Sequence, residues 1–185
     1  MEQNTPMHRD AIKKQLKDAY GKVVYTYTTH LKEASLLARK NAVIKVGIIM
    51  LSAISTCGIL GVIFKWWEDG LAIITALVSL GNMVLGTYSK GANLEHRELQ
   101  HRGVANRLWR IREKYLALLT DFDGIDETKL IERRDLLTEQ VADVYDSAPL
   151  TSKKAYSLAQ KALNVEEEQF FAEGEVDKML PEHLR

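Results

Sequence analysis

The sequence predicts an all-α fold: a two-span transmembrane helical hairpin with long cytoplasmic helices. Two uncharged apolar runs and the very short segment between them predict the hairpin. The three- and four-residue spacing of apolar side chains on either side predicts the long helices. From Val46 to Phe64 the chain reads VGIIMLSAISTCGILGVIF, and from Leu71 to Tyr88 it reads LAIITALVSLGNMVLGTY. At ~1.5 Å rise per residue, each run is roughly 27–29 Å long as a helix, about one hydrocarbon core. A soluble domain of 185 residues rarely buries two helices that are apolar all round, so both runs are read as spans.

Residues 65–70, Lys65-Trp66-Trp67-Glu68-Asp69-Gly70, form the external loop. Trp66 and Trp67 fall at the expected membrane–water boundary, where an aromatic belt forms, and Gly70 eases the turn. Lys32, Arg39, Lys40 and Lys45 precede the first span, and Lys90, Arg97 and Arg102 follow the second, against Lys65 alone at the tip. The positive-inside rule then places both termini in the cytoplasm, with the Trp pair outside. Lys45 is placed to snorkel at the entry to the first span.

The chain divides into a cytoplasmic N-terminal amphipathic helix (1–45), transmembrane helix 1 (46–64), the external loop (65–70), transmembrane helix 2 (71–88), and a cytoplasmic helical region with an acidic tail (89–185). The formal net charge is zero. Arg and Lys nevertheless crowd the segment from Arg97 to Lys114, and Asp and Glu the tail from Glu166 to Glu182. The tail reads as a solvated face with the option of pairing with the basic helix. The N-terminus is polar up to the first apolar run, which is therefore an anchor and not a cleavable signal. One cysteine, Cys57, excludes an internal disulfide and a cysteine metal cluster.

Before the first span, Tyr20, Val24, Tyr27, Leu31, Ala34 and Ala38 recur at helical steps, with Ile12 and Leu16 extending the stripe from Asp10 to about Lys40. After the second span, from Asn93 to about Asp121, Leu94, His101, Leu108, Tyr115 and Phe122 are spaced by seven, with Arg97, Val104, Ile111 and Leu118 between them. This heptad stalk has two readings: a coiled-coil seam between copies, centred on Leu108, Ile111, Tyr115 and Leu118, or packing onto the N-terminal helix of the same chain. The sequence DFDGIDE makes a turn. A helix follows from about Thr128 to Asp146, then one from Ser152 to Asn164 capped by Thr151, then an acidic amphipathic stretch from Val165 to Leu180.

Within the first span, Ala53, Cys57 and Gly61 lie four apart, and small residues at that spacing let helices approach closely in lipid. In the second span, Thr75, Ser79, Asn82 and Gly86 share a face that Lys90 continues. An amide in hydrocarbon is costly unless it finds a partner or water. The row is therefore either an interhelical seam, with Ser52, Ser55 or Thr56 as partners, or the lining of a pore with Lys90 at its cytoplasmic mouth.

No residues are assigned to catalysis, to a cofactor or to a metal. His96 and His101, five apart, do not share a helix face as a metal pair would. No Gly-rich phosphate loop, nucleophile elbow or Cys/His cluster is present. The basic helix begins close to the membrane and carries only Trp109 and Tyr115 as aromatics. Anionic headgroups or a neighbouring acidic face account for it better than nucleic acid, and direct nucleic-acid binding is not expected.

Tyr27-x-x-His30-x-x-x-Ala34 before the first span, the paired spans, and Asn106-x-x-Trp109 with Tyr115 after the second resemble the SLATT proteins, the SMODS- and SLOG-associating two-transmembrane effectors of bacteria. The segment from Tyr145 to Tyr156, YDSAPLTSKKAY, looks like the reverse-transcriptase-associated subfamily. The resemblance implies a pore-forming effector of the bacterial inner membrane that acts as a homo-oligomer in antiviral or other conflict systems. It also implies an upstream nucleotide-signalling or reverse-transcriptase partner, the effector staying silent until that partner signals. The competing reading is a membrane anchor or scaffold that recruits a soluble partner without a pore.

Overall fold

The computed structural model describes residues 5–63, 70–169 and 171–184. Among them all regular structure is helical: α1 (Thr5–Ile63), α2 (Gly70–Ala92), α3 (Leu94–Thr120), α4 (Glu127–Asp146), α5 (Lys153–Asn164), the short α6 (Glu175–Met179), and 3₁₀ turns at Phe122–Gly124 and Glu182–Leu184. Trp66 and Trp67 lie outside the described residues.

The N-terminal helix and the first span form one continuous helix, α1, of 59 residues. At ~1.5 Å per residue it is about 88 Å long, far more than a bilayer core needs. Its N-terminal part belongs to a polar stalk and its C-terminal part to the apolar hairpin. Neither proline nor a helix-breaking glycine pair interrupts the passage from Lys40 to Val46, so the helix runs unbroken from stalk into span. On the return, α2 and α3 are separated by Asn93 alone, held in the left-handed region at φ 46°. Asn tolerates that conformation better than most residues, so a bend is placed where the hairpin meets the stalk.

The stalk is an antiparallel pairing of α1 with α3, flanked by α4 and α5. On α1 the buried and half-buried row runs through Leu16, Tyr20, Val23, Tyr27, His30, Ala34, Leu37, Asn41 and Ile44, a regular alternation of four- and three-residue steps. On α3 the matching row is Leu94, His101, Val104, Leu108, Ile111, Tyr115 and Leu118, all buried. The heptad residues Leu108, Ile111, Tyr115 and Leu118 thus face the interior of their own chain. They form one core with Ile12, Leu16, Val23, Leu130, Leu137 and Val144. Arg97, in the same heptad row, is exposed. The α1 stripe is shifted in phase from the expected one: Val23, His30 and Leu37 are buried, whereas Val24, Leu31 and Ala38 are only half-buried.

α4 begins at Asp126, whose carboxylate accepts from the Thr128 amide. α5 is capped by Ser152, whose hydroxyl accepts from the Ala155 amide, so the cap falls one residue later than Thr151. Ala155, Ala159 and Ala162 are buried on α5, and these small side chains let it lie close against α1. Among its described residues the acidic tail is α-helical over Glu175–Met179. Its Glu168 pairs with Lys32 of α1 at 2.6 Å and Glu166 with Lys161 at 2.6 Å; among the described residues no ion pair joins it to the basic helix α3.

Candidate functional site: the polar seam of the hairpin

Outside the stalk, α1 and α2 pack on each other. Ile49, Met50, Ile54, Ile73, Leu77, Leu80 and Met83 stand exposed around the pair. Both helices are long and apolar enough to cross a membrane. In water such a surface would be a large uncovered apolar patch; in lipid it is solvated.

The polar residues of the second span turn inward, toward the first. Asn82 Nδ2 donates to Ser52 Oγ at 2.9 Å, and Ser79 Oγ donates to Ser55 Oγ at 3.1 Å. One turn nearer the tip, Thr75 is buried against Gly58. A Cβ on Gly58 would overlap the Thr75 hydroxyl and lie 3.1 Å from its Cβ and methyl, so only glycine fits at this crossing. Toward the stalk, Gly47 faces Leu85 with 3.4 Å left for a Cβ, an ordinary contact distance that does not require glycine. Thr75, Ser79 and Asn82 therefore form a zipper with Gly58, Ser55 and Ser52. Gly86 is half-buried beyond it, and Lys90 is exposed at the stalk end.

Of the small residues spaced by four, Gly61 is buried, while Ala53 and Cys57 are exposed. The close approach comes from Gly58, one residue out of phase with that row. The zipper is incompletely satisfied: Asn82 Oδ1 is buried and has no hydrogen-bond partner. A lone amide carbonyl in hydrocarbon is unfavourable, since nothing there replaces water.

Where the hairpin meets the stalk, Lys40 Nζ donates to Tyr88 Oη at 2.8 Å and lies 5.3 Å from the ring centroid. Lys45 pairs with Glu95 at 3.2 Å. These amphipathic side chains lie at the level expected of the headgroup region.

Higher in the stalk, a polar layer interrupts the core. His30 Nδ1 and His101 Nδ1 are 2.9 Å apart, both rings buried. One nitrogen donates and the other accepts, so at most one proton lies between them. Burial is the main cause that lowers both pKa values, that of His30 to about 4, and the neighbouring His101 lowers that of His30 further. Glu33 opposes the shift on both rings, while Arg97 adds to it on His101. The Glu33 carboxylate is itself held by Ser152, through its amide at 2.8 Å and its hydroxyl at 2.5 Å. This layer joins α1, α3 and the start of α5. His30 and His101 were visible separately, but their meeting required the register of the two helices. Among the described residues no group of three or more His, Cys, Asp or Glu is placed to hold a metal ion.

A family model, the SMODS and SLOG-associating 2TM effector domain family 4, matches residues 12–175. The match covers the stalk and both spans. No curated protein sequence and no solved structure gives a match.

Proposed function

Because this chain belongs to the SMODS and SLOG-associating 2TM effector domain family and is a membrane protein, we propose that it oligomerises and permeabilises the bacterial inner membrane when triggered in a conflict system. The observation that carries the reading is the inward-facing row of Thr75, Ser79 and Asn82, closed against the first span, with the Asn82 carbonyl left unpartnered. A closed hairpin of this kind is a resting state. Separating or rotating its two helices would turn the row toward an aqueous path, where water would satisfy Asn82. The unbroken α1 supplies the lever, since a displacement of the stalk is a displacement of the span. In this reading both termini are cytoplasmic, and the stalk receives the signal from a nucleotide-signalling or reverse-transcriptase partner.

The anchor reading is favoured by one observation. Ser52 and Ser55 already bond to Asn82 and Ser79 within the chain, as a packing seam without a pore requires. Membrane potential in cells separates the two. Overexpression, with and without the neighbouring gene products, is expected to collapse the potential when the trigger is present. An unchanged potential in every combination would leave the anchor.

A further inference from the structure

Among the described residues, nothing covers the outward face of α3. Leu99 and Arg110, eleven residues apart, share one stripe of it, and Trp109 and Leu116, seven apart, share the adjoining stripe about 100° round the helix; Leu99, Trp109 and Leu116 are 61%, 46% and 44% exposed. The outward face of α4 has the opposite character. Glu132, Asp135, Glu139, Asp143 and Asp146 recur on it at three- and four-residue steps, all exposed, with Leu136 at 58% exposure among them. Among the described residues, Arg110 makes no ion pair or hydrogen bond through its side chain, and neither do Glu139, Asp143 and Asp146.

The heights of the two faces match. α4 runs antiparallel to α3, and their register is fixed by Arg107 donating to Ser147 Oγ at 2.9 Å and Lys114 donating to Gln140 Oε1 at 2.8 Å. Arg110 is thereby level with Val144, between Asp143 and Asp146, and Leu116 is level with Thr138, between Leu136 and Gln140. Copies inserted in one bilayer by the same hairpin stand at the same height and point the same way. The basic, apolar face of one copy then meets the acidic face of the next without any vertical shift. Pairing α3 with its own copy would instead set Arg110 against Arg110, which like-charge repulsion disfavours.

We propose that the outer face of α3 docks on the outer face of α4 in a neighbouring copy, joining copies head to tail. Such a contact uses two different patches and closes into a ring when its rotation permits. The inference rests on the oligomeric reading above and names the surface that reading requires. The heptad residues Leu108, Ile111, Tyr115 and Leu118 are buried inside the chain and leave that role to other residues.

The test uses the full chain in lipid nanodiscs or mild detergent, with oligomer mass read at fixed salt. Arg110→Glu, and separately Asp143→Arg with Asp146→Arg, is expected to weaken assembly at least tenfold while helicity is unchanged, because these side chains are exposed. Co-expressing the two variants is expected to restore assembly, since every second contact is then charge-reversed and the others are native. If wild type assembles and Arg110→Glu assembles equally well, or if the mixture is not rescued, this surface is wrong and the oligomeric reading stands. If wild type itself is monomeric, both fail.

Discussion

His30 and His101 meet at 2.9 Å through their Nδ1 atoms inside the stalk, a polar layer in an otherwise apolar pairing of α1 with α3. Burial favours the neutral form of both rings, and through His30 the folded stalk binds fewer protons than the unfolded chain between the ordinary histidine value of 6.5 and the lowered His30 value of about 4. Stability therefore rises with pH across that window: it is complete above pH 6.5 and falls as pH drops toward 4. At about 1.4 kcal/mol per pH unit, the His30 shift corresponds to roughly 3 kcal/mol. Thermal unfolding of the solubilised protein is expected to show a clear loss of Tm between pH 7 and pH 4.5. His30→Leu combined with His101→Leu should flatten that dependence; an equally steep loss in the double variant would remove the histidines as its cause.

Gly58 is the point of closest approach in the hairpin. Gly58→Leu is expected to cost at least 1–3 kcal/mol of span packing, the usual penalty of overpacking, whereas Cys57→Leu, on an exposed face, is expected to be silent. The readout is an intrachain disulfide between Ser55→Cys and Ser79→Cys in a Cys57→Ser background, since the native hydroxyls are 3.1 Å apart. Gly58→Leu should suppress the cross-link. An undiminished yield would mean that the helices do not cross there.

Asn82→Leu removes the bond to Ser52 and the unpartnered carbonyl together. The lost bond is worth roughly 0.6–2 kcal/mol, so insertion and oligomer mass are expected to survive while permeabilisation is lost. Leu77→Ala, on the lipid face, serves as the control. If Asn82→Leu permeabilises normally, the row is a packing seam and nothing more.

Leu108 is fully buried between helices of one chain. Leu108→Glu is therefore expected to destabilise the stalk as a whole, by several kcal/mol, because it buries an unpaired charge. Limited proteolysis should then cut the stalk rapidly. A well-folded, protease-resistant species of smaller oligomeric mass would instead place Leu108 between copies.

The hairpin was legible because lipid imposes a strong rule: long uncharged runs and little else satisfy it. The heptad of α3 was legible for the same reason of periodicity, but its partner was not. Spacing alone does not say whether Leu108 and Tyr115 face another chain or α1. The answer depended on α1 carrying its own four-three alternation, which His30 and Thr28 obscured by placing polar residues within the buried part of the helix. Similarly, the polar row from Thr75 to Asn82 was visible as a face, with Ser52, Ser55 or Thr56 as candidate partners, whereas which hydroxyl meets which side chain depended on the crossing set by Gly58. A single glycine carries no periodic signal, and the row of Ala53, Cys57 and Gly61 was the more regular pattern.

The central claim is that this hairpin opens a path through the membrane, and purified protein in liposomes tests it most directly. Release of a trapped ion or small dye would be followed for wild type and Asn82→Leu, incorporated at equal density and with equal oligomer mass. The account predicts release by wild type once the stalk is perturbed, by the upstream partner or by acidification to pH 4.5, and little release by Asn82→Leu. Liposomes that remain sealed to wild type under both conditions, or that leak equally with Asn82→Leu, would contradict it.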